Sequence, residues 1–170
     1  ENDCNSYIVT SGGELLKFVK KDKVKIIRLP VQSKNPLLII FNTIILFFLI
    51  IILNINIVHA RSRAPAWSCY LSCLLTGRKF VTTFHGTYSI SGRFKKIYNS
   101  VMLKSKLTIA GSNFIFNHIN ENYKDYINPK NKLMVIFRGI NVDYYNPKNI
   151  FEFKKNKLIS EWKLKEENFN

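Results

Sequence analysis

The stretch from His59 to Tyr88 constrains this chain most, because strand end, polar loop, helix, turn, strand and second polar loop follow one another without a gap. Pro65 sits where a first helical turn tolerates a missing N–H, and Gly77 stands just past the last apolar helical position, so the helix between them carries both of its end signals. Lys79-Phe80-Val81-Thr82-Thr83-Phe84 then supplies a short β-rich run that ends in His85-Gly86-Thr87. Strands joined through a crossover helix run parallel, so both polar loops open on one edge. That carboxyl edge is where open α/β sheets bind ligands.

The wider chain repeats the alternation. The pattern predicts strands at 7–9, 24–29, 55–59, 79–84, 107–110 and 133–137, with helices at 12–20, 36–52, 65–76, 93–104 and 113–122. Such βαβ alternation predicts an α/β fold with a doubly wound, mainly parallel sheet. Ser112 is placed to cap the helix that starts at Asn113, and Asn128-Pro129 is a turn signal before the last strand. The length fits one domain plus a tail. The tail, 148–170, is rich in Lys, Glu and Asn and reads as a connector with a helix, not a second core.

Charge and cysteine usage narrow the function classes. Lys and Arg number 26 against 11 Asp and Glu, a formal +15 that favours anionic surfaces such as phospholipid, lipid-linked phosphate or nucleic acid. The basic residues are scattered and lack interleaved stacking aromatics, which argues against a nucleic-acid module. The densest run, Lys17, Lys20, Lys21, Lys23 and Lys25, reads as a solvated helix end, with peripheral membrane contact as the alternative. Cys69 and Cys73, four apart on one helical face, read as core packing, and with Cys4 they are too few for a metal site. No disulfide framework or signal peptide is visible, so a reducing cytoplasm is the default. The apolar segment 37–53 contains only Asn42 and Thr43 as polar residues and approaches the length of a membrane span. A helix that crosses from one buried strand to another cannot also cross a bilayer without splitting the sheet, so a crossover helix packed on the sheet is the favoured reading.

Several motifs together resemble one known family. They are Ser11-Gly12-Gly13 after the first strand, Ile57-Val58-His59-Ala60-Arg61-Ser62-Arg63-Ala64-Pro65-Ala66-Trp67, and Phe80-Val81-Thr82-Thr83-Phe84-His85-Gly86-Thr87-Tyr88. Thr108-Ile109-Ala110-Gly111-Ser112 and Val135-Ile136-Phe137-Arg138-Gly139-Ile140-Asn141-Val142-Asp143, with Asn146-Pro147 beyond, extend the likeness. This pattern resembles the glycosyltransferases of family 4, retaining sugar-nucleotide enzymes of GT-B architecture, built from two facing Rossmann-like domains. The resemblance is to the amino-terminal half alone. It implies that 1–147 form the acceptor-side Rossmann-like domain and that 148–170 lead toward a donor-binding domain. It also implies a fragment truncated at both ends, without the family's first strand and glycine-rich loop and inactive in isolation.

The candidate site follows from these motifs. The resemblance implies that His85 faces the reacting sugar, acting by hydrogen bonding and orientation; the competing reading is a histidine that satisfies backbone groups in a turn. Gly86 and Thr87 share that turn and are substrate-binding candidates. Arg61 and Arg63 flank Ser62 at the same edge, where guanidinium forks bind phosphate or an anionic acceptor, or else tie the loop down. Arg138, beside Gly139 at the exit of the last strand, is a further binding candidate. His59 is read as packing and hydrogen bonding at the sheet edge, Tyr88 as either acceptor wall or lid over the core, and Asn141 and Asp143 as turn chemistry. The implied partners are a nucleotide-sugar donor as substrate, a glycan or lipid-linked acceptor and the inner face of the cell membrane, with no metal or cofactor. The leading expectation is a glycosyltransferase that builds a cell-envelope or lipopolysaccharide-type glycan. The alternative is a non-catalytic membrane-anchored protein with its span near 37–53.

Overall fold

The computed structural model of the chain describes residues 5–20, 22–88, 92–149 and 151–163. It divides into two compact units, Glu1–Phe137 and Arg138–Asn170.

In the first unit the strands are β1 (Ser6–Thr10), β2 (Val24–Arg28), β3 (Ile57–Ala60), β4 (Lys79–Phe84), β5 (Leu107–Ala110) and β6 (Lys132–Val135). The helices are α1 (Pro36–Ile52), α2 (Arg63–Thr76), α3 (Arg93–Asn99) and α4 (Asn113–Tyr123). Every strand pairing is parallel, as the βα alternation requires. The strands do not form one continuous sheet. β1 and β2 pair as a two-stranded sheet, and β3-β4-β5-β6 form a four-stranded sheet in sequence order. Between the two lies an apolar groove of about 480 Å³, bounded by Tyr7, Ile8 and Val9 on one side and by Ile57 and Val58 on the other. Among the described residues neither β1 nor β3 pairs with a strand across it.

The core sits between the four-stranded sheet and its helices, where Phe84, Val101, Met102, Ala110, Ile119 and Tyr123 are fully buried. α1 has both of its start signals: the Asn35 side chain accepts from the Leu37 N–H at 2.9 Å, and Pro36 occupies the first turn. Its polarity is inverted. Asn42 and Thr43, the polar residues of the apolar run, face inward with Leu46 and Ile50, while Leu37, Ile40, Phe41, Ile44, Phe48, Ile51 and Ile52 are exposed. The contact with α2 uses small residues and hydroxyls. Ser68 Oγ donates to the Ile39 carbonyl at 3.1 Å, and Ser72 Oγ donates to the Thr43 carbonyl at 3.0 Å. No helix of the described residues is long and apolar enough to cross a membrane.

The strands expected at 55–59 and 133–137 run at Ile57–Ala60 and Lys132–Val135, and three helices depart from the sequence reading by two residues or more. The expected helix at 12–20 is a short 3-10 stretch, Glu14–Phe18, because Gly12 and Gly13 adopt φ of 122° and 136°, outside helical space. α2 begins at Arg63, before Pro65, because Ser62 already holds the extended cap conformation and the first-turn N–H groups lack partners in any case. The helix expected over 93–104 stops at Asn99 and continues as a 3-10 turn, where Ser100 Oγ bonds back to the Ile97 carbonyl at 2.7 Å. Other signals act as read. Gly77 ends α2 in the left-handed region with φ 68°, and Ser112 Oγ caps α4 by accepting from the Ile115 N–H. Asn128 starts a turn by accepting from the Lys130 N–H at 2.9 Å.

In the second unit the Asn141 side chain accepts from the N–H of Tyr144, three residues on, at 3.0 Å, which is local turn chemistry. A final helix, α5 (Glu152–Glu161), is exposed along its length but for Ile159.

Candidate functional site

The β3/β4 register pairs Ala60 with Thr82, so the loops that leave these strands emerge side by side. Ala60 and Phe84, the last residues of the two strands, are buried and fix where the polar residues after them begin. Arg61 follows at once on one strand and His85 on the other. Arg61 Nε donates to His85 Nε2 at 3.1 Å. Lys155 pairs with Glu152 and Lys157 with Glu161, both within α5 and away from this edge in sequence.

Arg63, at the start of α2, turns the other way. Its Nη1 donates to Asn99 Oδ1 at 2.8 Å, and its guanidinium lies over the Tyr88 ring at 4.4 Å. Asn99 is fully buried and passes the connection on, donating from Nδ2 to Tyr123 Oη at 3.0 Å. Tyr88 stacks on Phe84 with centroids 4.8 Å apart, which makes it a lid over the core. Burial pushes the Tyr88 and Tyr98 hydroxyls above the ordinary phenol range, with the Arg63 charge acting in the opposite direction. The two arginines of one loop therefore do different things: Arg61 lies along the sheet edge against His85, and Arg63 ties the loop to the core.

His59 reaches Thr83 Oγ1 at 2.8 Å, the edge hydrogen bond expected of it. Partial desolvation, and secondarily the Arg61 charge, lower its pKa from the usual imidazole value. Gly86 has open space where a Cβ would project, and Thr87 beside it is exposed. Arg138 falls in the second unit and is exposed. Cys69 and Cys73 are buried, and burial raises their thiol pKa values to about 12 and about 11. Neither is a thiolate at neutral pH. Among the described residues no group of His, Cys, Asp and Glu is arranged to hold a metal ion. Sequence reasoning missed Asn99 and Tyr123, whose partners lie 36 and 24 positions away, beyond any local pattern.

Parallel βα units with polar residues gathered at the carboxyl ends of neighbouring strands define one Rossmann-like half of a GT-B glycosyltransferase fold. The family model for Glycosyltransferase Family 4 matches residues 1–144, and the chain belongs to that family. A glycosyltransferase from Rickettsia africae ESF-5 is 43% identical and superposes with a TM-score of 0.73, covering 95% of this chain and 42% of that one. Anabaena Alr3699/HepE, solved with UDP and glucose and also with UDP-glucose, gives TM-scores of 0.63 at 11% and 12% identity, over 92% and 91% of this chain. The chain spans 42% of the length of each of these proteins. No curated protein matches the sequence.

Proposed function

We propose that the longer protein is a retaining glycosyltransferase that moves a sugar from a nucleotide-sugar donor to a cell-envelope or lipopolysaccharide-type acceptor, and that this chain forms the acceptor side of its cleft. One observation carries the reading: in a family 4 chain, Arg61 and His85 meet at the carboxyl edge of a parallel sheet, with open space at the adjoining Gly86. An imidazole there orients a sugar oxygen by hydrogen bonding, which accelerates transfer through position, not proton removal. Thr87 adds an exposed hydroxyl, and the outer N–H groups of Arg61 suit an anionic acceptor group. Arg63 serves the same site through the Tyr88 side of the loop. Arg138, in the second unit, is a separate substrate-binding candidate of the longer protein. The donor is a substrate, and this domain supplies no metal or cofactor to the reaction.

The groove between β1 and β3 supports a further part of the reading, that the longer protein threads another strand through it. Two open strand edges need backbone partners that an apolar ligand cannot supply. The outer face of α1 supports work at the inner face of the cell membrane. A helix that turns its polar residues inward and an apolar stripe outward has the polarity of a helix facing lipid, and Lys34 lies just ahead of it.

The test is transfer by the full-length protein, followed as release of nucleoside diphosphate, with UDP-sugars as the first donors because UDP is the nucleotide in the HepE complexes. His85→Ala is expected to lower the rate on the order of 100-fold with the fold intact. An unchanged rate removes His85 from the site, and a protein that turns over no nucleotide sugar removes the reading as a whole.

A further inference from the structure

The hydrogen bond between Arg61 and His85 differs from the other histidine contacts at the sheet edge, because its direction is fixed by chemistry. A guanidinium has N–H donors and no acceptor. His59 and Thr83 can exchange donor and acceptor roles, whereas His85 Nε2 opposite Arg61 Nε can only accept. A neutral imidazole that accepts at Nε2 carries its proton on Nδ1. Both partners leave their strands directly after buried residues, Ala60 and Phe84, so the approach of the two side chains is set by the sheet register.

We propose that Arg61 is a positioning residue for His85: by donating to Nε2 it holds the ring in one orientation and in the Nδ1–H tautomer. The inference rests on the reading of His85 as a site residue for its importance to transfer, but not for its physical content. An exposed hydrogen bond of this kind adds little to stability, so its effect falls on which face and which atom of the imidazole meet a bound sugar. Arg63, two residues on, cannot substitute, because Asn99 and the Tyr88 ring hold its guanidinium. With the Arg61 donor on Nε2, that nitrogen is not open to take a proton from substrate.

The experiment is long-range 1H–15N spectroscopy of histidine-labelled full-length protein near about pH 8.5, where an ordinary imidazole is neutral, with His85 assigned by its loss in His85→Gln. The wild type is expected to show the Nδ1–H pattern, with Nε2 as the unprotonated nitrogen. Arg61→Ala should lower the Nδ1–H share and raise that of Nε2–H, and Arg61→Lys, which keeps the charge but not the planar donor, should restore the pattern only in part. An Nε2–H pattern in the wild type, or a spectrum that Arg61→Ala leaves unchanged, overturns the proposal. Transfer assays separate this from the functional reading. If the tautomer shifts in Arg61→Ala while His85→Ala transfers at the wild-type rate, the positioning stands and the site assignment falls. If both stand, Arg61→Ala lowers kcat about tenfold with KM for the donor little changed.

Discussion

Asn99 shows how much of the site rests on a residue with no chemistry of its own. Its amide accepts from Arg63 in a partly buried setting and donates to Tyr123 in a buried one, so truncation strands a charge-bearing donor and a buried hydroxyl together. Asn99→Ala is expected to cost about 2 kcal/mol in urea unfolding, and to loosen the Tyr88 side of the loop. A loss under about 0.5 kcal/mol would mean that water replaces the amide. His59 gives a pH signature. Its folded pKa lies below the unfolded value of 6.5, so the unfolded chain binds the proton more readily. The associated stability is present above pH 6.5 and is lost as pH falls through the lower folded value, and His59→Gln should flatten that decline in thermal melts. The end of β4 ahead of His85-Gly86-Thr87 was legible in the sequence because a strand end is a local feature, and so was the hydroxyl cap of Ser112. The division of labour between Arg61 and Arg63 was not legible. It depends on Asn99, on which no periodicity at the arginine loop bears.

At the level of elements, α1 is the most informative. Its bounds were readable to the residue because Asn35 and Pro36 mark the start and the apolar run marks the length, yet its orientation was not. Its two polar residues, Asn42 and Thr43, mark as outer the side that is in fact inner, and only the tertiary contact with Ser68 and Ser72 of α2 decides the orientation. Two predictions follow from that orientation. Ser72→Val, which puts bulk into the close α1–α2 contact, is expected to destabilise by about 1–3 kcal/mol. The paired exposed change Ile44→Ser with Phe48→Ser should leave stability nearly unchanged while reducing sedimentation of the full-length protein with anionic vesicles. Equal loss of stability in both variants would show that the outer stripe is packed rather than presented. The breaks at Ser100 and at Gly12-Gly13 were missed for a different reason: single side-chain or backbone conformations end those helices, against an otherwise helical pattern.

At the level of the whole molecule, the alternation of strand and helix fixed the parallel class of the sheet, since crossover helices leave no other pairing. It did not reveal that the sheet falls into two pieces, because adjacency in sequence says nothing about an edge left open between β1 and β3. On the proposal that a strand of the longer protein fills the groove between β1 and β3, that strand meets two open edges at once and does so intramolecularly, so its effective concentration is set by the tether and not by the amount of protein. Cutting the tether would then turn a melting temperature independent of concentration into one that rises with added strand peptide.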